Sequence, residues 1–161
     1  MGARVALFLS TFINKVDRKG RVSVPATFRA ALGAQSFAGI IAFPSFRLPA
    51  IEGTGMDRME ELSARHDALS QFSEDHENLG VVFADSHELS FDSEGRIVLP
   101  PALSEHAGIT DLAAFVGLGR SFQIWEPNRF HQHQAAARDR SRRQGLVLPA
   151  KAAQGPEGGT S

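Results

Sequence analysis

The sequence predicts an α+β protein, mainly β, made of two copies of one half-domain. The first observation is a repeat: "VDRKGRVSVP" at residues 16–25 returns as "FDSEGRIVLP" at residues 91–100. The second is the alternation of residues after each Gly-Arg pair, which is typical of a half-buried strand. The third is the composition, with 42% hydrophobic and 22% charged residues among 161, which is ordinary for a globular chain.

The repeat extends beyond these two stretches. Sliding the chain so that Asp17 meets Asp92 also aligns Gly20 with Gly95, Arg21 with Arg96, Val22 with Ile97, Val24 with Leu99, Pro25 with Pro100 and Gly33 with Gly108. Two units of this length are too few and too long for a solenoid, whose repeats are shorter and more numerous. We therefore infer a duplicated half-domain that pairs with itself.

Each half is predicted to begin with a strand and a tight turn. The apolar stretch "VALFLSTFI" at residues 5–13 is expected to be a strand, since it lacks the Ala-x-Ala-like site of a signal peptide. Asp at the first position and Gly at the fourth, in residues 17–20 and again in 92–95, favour a type I turn whose carboxylate accepts backbone N–H groups. The turn is therefore expected to form the tip of a hairpin.

A strand, a short helix and a buried strand follow each turn. Side chains alternate along a strand, so Val22 is expected to face the core while Arg21 and Ser23 face the other way. Proline ends the strand, and "ATFRAAL" and "PALSEHA" are predicted to be helices with Gly33 and Gly108 just past their ends. "FAGIIAF" and "LAAFVGL" then indicate buried strands.

The chain divides into five predicted segments. The two repeats occupy residues 7–53 and 81–127, and a helix over residues 54–80 joins them. Its apolar positions recur at helical spacing: Met56, Met59, Leu62, Leu69 and Phe72. Residues 128–144 are predicted to form a basic C-terminal helix, and residues 145–161 have the composition of a flexible tail.

Charge is segregated along the chain, although the formal net charge is only -1. Residues 11–30 hold five cations and one carboxylate, and residues 129–143 hold five arginines and one aspartate. Residues 52–78, in contrast, hold eight carboxylates and two arginines. The basic segments point to an anionic partner.

Several classes of function are not expected. The chain has no cysteine, which excludes disulfides, zinc–thiolate sites, iron–sulfur clusters and thiol catalysis, and which fits the cytoplasm. No apolar run approaches the roughly 20 residues of a membrane helix. We expect no cofactor, no membrane association and no small-molecule substrate.

An enzyme is the first alternative, because two Asp-Gly turns in pseudo-twofold relation resemble paired catalytic aspartates. "DRKG" and "DSEG" lack the Asp-Thr/Ser-Gly of aspartic proteases, and an adjacent arginine keeps each carboxylate ionised. "DSEG" is too short for a calcium loop, and "GLGRSF" at residues 117–122 lacks the third glycine of a dinucleotide fingerprint. His131 and His133 would face different sides of a helix. No catalytic residue and no metal ligand is therefore predicted.

The duplicated Asp-x-x-x-Arg turn, with its alternating strand, proline and short helix, resembles the MraZ family, in the SpoVT-AbrB group of swapped-hairpin transcription factors. The resemblance covers about residues 7–143, including "DRKGRVSVP", "DSEGRIVLPP" and "GLGRSFQIWEP". It implies a swapped-hairpin β-barrel with short flanking helices and a ring-like homo-oligomer. It also implies a DNA-binding repressor at the nucleoid, which recognises short direct repeats in the promoter of its own division and cell-wall operon.

The DNA-contact residues that the resemblance implies carry over where this sequence matches. The predicted DNA-binding residues are Lys15, Asp17, Arg18, Lys19, Arg21, Ser23 and Arg96. The planar fork of Arg21 suits phosphate oxygens or guanine O6 and N7, and Asp17 is expected to hold the turn or orient Arg21. A hairpin tip is a shape that the major groove admits. The alternative interpretation is a solvated turn with an ion pair inside the hairpin.

The two copies differ in charge. Residues 88–107 carry four carboxylates against Arg96 alone, so the second copy is expected to repel a phosphate backbone. Our hypothesis is that the first repeat binds DNA while the second chiefly builds the fold, with Arg96 serving an ion pair. The basic C-terminal helix is a second, weaker candidate for phosphate contacts. A further alternative is an antitoxin-like or protein-binding module of the same hairpin fold.

Overall fold

The computed structural model of the protein describes residues 6–33, 35–145 and 148–149. In chain order the elements are β1 (Thr11–Lys15), β2 (Arg21–Ser23), α1 (Ala26–Leu32), β3 (Gly39–Pro44), β4 (Ala50–Thr54), α2 (Met56–Ala68), α3 (Glu74–Ala84), β5 (His87–Ser90), β6 (Arg96–Val98), α4 (Pro101–Ala107), β7 (Leu112–Gly117), β8 (Phe122–Trp125) and α5 (Pro127–Gln144). A large antiparallel sheet accompanied by helices confirms the predicted α+β class.

The chain forms two compact units, one up to Phe130 and one from His131 onward. No residue that the structure describes between His131 and Gly145 is buried. Val5, at the start of the predicted first strand, and most of the predicted tail over residues 145–161 lie outside the described residues. The strand itself begins at Thr11, after an isolated bridge between Phe8 and Gly119.

The strands of the two repeats pair with each other. A six-stranded sheet has the order β1-β7-β8-β4-β3-β5, and β2 and β6 form a separate two-stranded ribbon. Strand β1 of the first repeat pairs with β7 of the second, and the equivalent strand β5 pairs with β3 of the first. The equivalent strands β4 and β8 pair at the centre. Both repeats therefore contribute to every part of the sheet.

The expected closed β-barrel is not seen, because the hydrogen-bonded strand pairs of the described residues form an open sheet and a separate ribbon. Strands β1 and β5 are the edges of the six-stranded sheet, and no ladder of the described residues joins the ribbon to it; the only β-bridge there is the isolated one between Val16 and Val22. The ribbon strands have three residues each, and Pro25 and Pro100 follow closely. Proline has no N–H to donate to a ladder, so the ribbon strands stop early.

The main core lies between one face of the sheet, the inner face of the ribbon, and helices α1 and α4. Phe28 of α1 has no exposed surface, and its ring lies 5.2–6.3 Å from the rings of Phe8, Phe12, Phe115 and Phe122. Three of these contacts are edge-to-face, the favoured geometry for aromatic pairs. Phe28 is thus the centre of an aromatic cluster that joins both repeats.

The segment between the repeats holds two helices, whereas the sequence predicted one. Ser73 begins α3: its hydroxyl accepts from the backbone N–H of His76 at 3.1 Å and donates to the carbonyl of Ser70 at 2.7 Å. Serine at this position favours a new helix start over continuation of the preceding helix. Phe72 falls in the break and is 90% exposed, so it does not belong to the apolar face of a helix.

The chain crosses itself closely just before β1. Among the described residues, Ser10 is the one residue other than glycine with a positive φ, of 74°. Its carbonyl accepts from the backbone N–H of Gly117 at 2.8 Å. A Cβ on Gly117 would lie 2.5 Å from the carbonyl carbon of Phe8, so only glycine allows this approach. Ser10 therefore holds a strained backbone conformation in order to let the two segments pass.

We expect Ser10→Gly to stabilise the fold. The left-handed conformation costs an L-residue about 1–2 kcal/mol, and glycine adopts it freely but loses about 0.5–1 kcal/mol more conformational entropy on folding. The free energy of unfolding, measured in denaturant, should therefore rise by about 0.5–1 kcal/mol. Ser10→Ala keeps the strain and should not be stabilising. A lower stability for Ser10→Gly than for Ser10→Ala would contradict the expectation.

Candidate nucleic-acid interface

The first turn, residues 17–20, is held by the side chain and the backbone of Asp17. Its Oδ1 accepts from the backbone N–H groups of Lys19 and Arg21, both at 2.9 Å. Its carbonyl accepts from the N–H of Gly20 at 3.0 Å, and Gly20 has a φ of +81°. These are the carboxylate–backbone bonds predicted from the sequence. They fix the turn before the ribbon begins.

Asp17 also orients the side chain of Arg21. The Nε of Arg21 donates to Oδ2 of Asp17 at 2.6 Å, while both side chains stay more than a third exposed. The pKa of Asp17 lies below its ordinary value, chiefly because the backbone N–H of Arg21 donates to it. The carboxylate therefore stays charged, and the bond to Nε leaves the two Nη groups of Arg21 available to a ligand. Such a fork can donate two parallel bonds to a phosphate or to guanine.

The second turn, residues 92–95, repeats this geometry. Oδ1 of Asp92 accepts from the N–H groups of Glu94 and Arg96 at 2.9 Å each, and Oδ2 accepts from Nε of Arg96 at 2.8 Å. The pKa of Asp92 is lowered for the same main reason, the backbone N–H of Arg96. One further contact distinguishes the second turn, because Nη2 of Arg96 lies 3.1 Å from Oε2 of Glu94.

The ribbon places the two turns at its opposite ends. Strands β2 and β6 are antiparallel, with Arg21 opposite Val98 and Ser23 opposite Arg96. The backbone N–H of Leu99 donates to the carbonyl of Gly20, and in the same way that of Val24 donates to Gly95. Val22 and Ile97 point into the core and are at most 1% exposed. The outer face therefore carries Arg21, Ser23, Arg96 and Val98.

The structure brings most of the predicted site residues together. Arg21, Ser23 and Arg96 share the outer face of the ribbon, and Asp17 lies against Arg21. Arg18 and Lys19 are exposed at the tip of the first turn, and Lys15 is exposed at the end of β1. The exposed charges at the first end are therefore mainly positive.

Two side chains of the interface were missed by the sequence analysis. Nδ2 of Asn14 donates to the carbonyl of Ser23 at 2.8 Å and so ties β1 to the ribbon. The guanidinium of Arg29 packs over Gly95, where an added Cβ would lie 2.6 Å from its Cζ. In the sequence, Arg29 is noticeable only as one of the five cations in residues 11–30. Its contact with Gly95 depends on tertiary packing, which the local sequence does not show. Its cation lies beside the more acidic of the two turns.

We expect the carboxylates of Asp17 and Asp92 to make the free energy of unfolding depend on pH in the acid range. Their folded pKa lies below the ordinary value of 3.8, so their contribution is present above that value and is lost as pH falls through the lower folded pKa. In Asp17→Asn/Asp92→Asn, the denaturation midpoint should be lower at neutral pH and fall less between about pH 5 and pH 2 than in the parent. An acid dependence equal to that of the control Asp67→Asn would contradict this expectation.

Two other kinds of functional feature are absent from the described residues. No group of three or more His, Asp or Glu side chains there is arranged to hold a metal ion. No helix in that part of the chain has the length and apolar character needed to cross a membrane.

Comparisons with known proteins point to one family and cover most of the chain. Residues 82–146 match the family model described as "MraZ protein, putative antitoxin-like". A protein named "Transcriptional regulator MraZ" from Rickettsia bellii (strain OSU 85-389) is 44% identical over 144 residues, which cover 88% of this chain and 96% of the relative. The protein of the same name from Gluconacetobacter diazotrophicus is 46% identical over 151 residues, covering 91% and 94%. A third, from Rickettsia akari, is 42% identical over 143 residues, covering 88% and 96%.

Proposed function

The chain belongs to the MraZ family, as its sequence resemblance predicted, and we propose that it is a sequence-specific DNA-binding regulator of transcription. The observation that carries the proposal is the first turn, where Asp17 holds Arg21 in a fixed orientation beside exposed Arg18 and Lys19. Its relatives are named as transcriptional regulators, which implies a non-enzymatic role. Its site of action is then the cytoplasm, at the nucleoid.

The proposed contacts divide by chemistry. Arg21 donates through its fork to guanine or phosphate, and Asp17 acts by positioning Arg21. Lys15, Arg18 and Lys19 supply charge to the DNA backbone, and Ser23 can donate its hydroxyl to either a base or a phosphate. Arg96 lies on the same outer face but is the weakest of the proposed contacts, since two carboxylates share its guanidinium.

We propose that the target consists of short direct repeats in the promoter of the protein's own operon, and that binding represses transcription. The ribbon supports a directional site: its backbone is twofold across Val22 and Ile97, but Lys19 of the first turn is replaced by Glu94 in the second. Such a ribbon fits DNA in one orientation. The exchange of equivalent strands between residues 7–53 and 81–127 supports a swapped arrangement of two repeats.

Self-association is part of the proposed mechanism. One turn offers few contacts, and several copies on one oligomer gain affinity through effective concentration. The edge strand β1 supports it, because Ile13 is 49% exposed there and the neighbouring Leu112 is 45% exposed. Exposed apolar side chains on a sheet edge favour association. Analytical ultracentrifugation should show an oligomer, whereas a monomer that binds DNA tightly would overturn this part.

A footprint on the DNA upstream of the protein's own gene tests the function. We expect protection of short, evenly spaced sites and a reporter that falls silent when the protein is supplied. A fragment of the same composition with shuffled sequence is the control. Equal protection of both fragments would overturn sequence-specific regulation.

An antitoxin-like role is the second candidate, because the matching family model carries that description. In that case DNA binding would serve a protein partner, which should co-purify with the chain in a fixed ratio. Purification of the protein alone, with full DNA binding, would exclude this role.

A further inference from the structure

The two turns of the ribbon differ at one decisive position. Glu94 of the second turn aligns with Lys19 of the first, while the aspartate, glycine and arginine around them are the same. The hydrogen bonds of the two turns have nearly equal lengths: Lys19 N–H to Asp17 Oδ1 and Glu94 N–H to Asp92 Oδ1 are both 2.9 Å. The backbone of the second turn is therefore built in the same way as that of the first.

The arginines of the two turns are left in different states. Arg96 bonds through Nε to Asp92 at 2.8 Å and through Nη2 to Glu94 at 3.1 Å. Arg21 bonds through Nε to Asp17, and no second carboxylate among the described residues lies within 4.0 Å of it. A guanidinium engaged on two sides has lost part of the fork that reads phosphate or guanine. The Nη groups of Arg21 are therefore available to a ligand, whereas one Nη group of Arg96 is already bound to Glu94.

We propose that Glu94 is a specificity-determining residue that weakens the second turn as a DNA contact, so that the ribbon engages DNA chiefly through its first turn. This inference rests on the proposed DNA-binding function. Glu94 acts in two ways: it holds the guanidinium of Arg96, and its own carboxylate, which is 67% exposed, repels phosphate. The pKa of Arg96 is raised, first by its hydrogen bond with Asp92 and to a smaller extent by the charges of Glu94 and Asp17.

The two arginines lie close enough together for the charges around them to interact. Arg21 and Arg96 are diagonal neighbours across the ribbon, which places their Cα atoms about 7–8 Å apart. The Debye length is about 8 Å at physiological salt, so charges at this separation still act on one another. The Glu94 carboxylate, whose Oε2 lies 3.1 Å from Nη2 of Arg96, adds negative charge on the side of Arg21 that faces the second turn. Glu94 therefore also steers the DNA away from the second end of the ribbon.

Charge reversal at this position tests the proposal by a gain of binding. In Glu94→Lys, which installs the residue of the first turn, the Kd for the upstream fragment should fall by about tenfold. The plot of log K against log salt should steepen by about 0.9 for each added phosphate contact. Glu77→Lys, on the exposed surface of α3, makes the same change of net charge away from the ribbon. It should leave both quantities nearly unchanged.

A second pair of variants separates release of Arg96 from simple addition of charge. Glu94→Gln frees Arg96 without adding a cation, so it should tighten binding by a smaller factor than Glu94→Lys. The part of this gain that depends on Arg96 should disappear in Glu94→Gln/Arg96→Ala compared with Arg96→Ala, which leaves only the smaller effect of the lost repulsion. If the double variant keeps the whole gain relative to Arg96→Ala, Glu94 does not act through Arg96 and that part of the proposal is overturned.

The outcomes distinguish this inference from the proposed function. Arg21→Ala is measured in parallel, and unchanged binding there would mean that the proposed DNA site itself is wrong. If Arg21→Ala abolishes binding while Glu94→Lys behaves like Glu77→Lys, the site is supported and the role of Glu94 is overturned. If Arg21→Ala loses binding and Glu94→Lys gains binding while Glu77→Lys does not, both the proposed DNA site and the role of Glu94 are supported.

Discussion

Replacement of Arg21 by alanine is expected to remove most of the affinity for the upstream DNA. Truncation of an arginine that donates two bonds to guanine costs about 1–3 kcal/mol, and in the proposed oligomer the loss would be repeated in each docked copy. The fold should be unaffected, because the ion pair with Asp17 is more than a third exposed and such pairs contribute little to stability. Fluorescence anisotropy over a series of salt concentrations gives both the Kd and its salt dependence.

The matched comparison for this prediction is Arg96→Ala, at the equivalent position of the second turn. Because Asp92 and Glu94 already occupy Arg96, its removal should cost much less affinity than removal of Arg21. Arg21→Lys adds a finer test, since lysine keeps the charge but loses the planar fork. It should retain nonspecific binding and lose discrimination between the specific and the shuffled fragment. Equal losses for Arg21→Ala and Arg96→Ala would contradict the asymmetry of the ribbon.

Phe28→Ala is expected to be the most damaging change to the fold. Phe28 is completely buried and packs against four other phenylalanine rings, which come from both repeats. Truncation of such a side chain costs about 3–5 kcal/mol through lost burial and the cavity left behind. Small domains have a total stability of about 5–15 kcal/mol, so a large share would disappear. Denaturant unfolding should show a lower midpoint with little change in slope.

Two variants calibrate the expected loss. Phe28→Leu fills most of the cavity and should cost clearly less than Phe28→Ala. Phe46→Ala removes a phenylalanine that is 63% exposed, and changes at such positions usually alter stability by no more than about 0.5 kcal/mol. A loss below about 1 kcal/mol for Phe28→Ala would show that the aromatic cluster is not the centre of the core.

The turns could be predicted from the sequence because their chemistry is local. Asp and Gly at positions 17 and 20 determine a turn within four residues, and the second copy repeats the signal. The faces of β2 and β6 were predictable for the same reason, since alternation assigns Val22 and Ile97 to the core. Which strands pair was not predictable in this way. Alternation indicates a face but not a partner, and β1 pairs with β7 at the far end of the chain.

The remaining differences arise from competition between local and tertiary effects. The apolar spacing that predicted one joining helix continues through Phe72, but the hydroxyl of Ser73 caps a new helix and breaks the pattern. In the site, the sequence shows that Glu94 replaces a cation, but not that its carboxylate reaches Arg96. The packing of Arg29 on Gly95 left no local signal, because the two residues belong to different repeats.

The interlocking of the two repeats has a consequence for synthesis of the protein. The ribbon pairs residues 21–23 with residues 96–98, so its outer face exists only when the second repeat has been made. Bringing together segments so distant in sequence is slow compared with forming local structure. A chain still emerging from the ribosome therefore lacks this outer face, and so does a prematurely terminated chain that ends before β6.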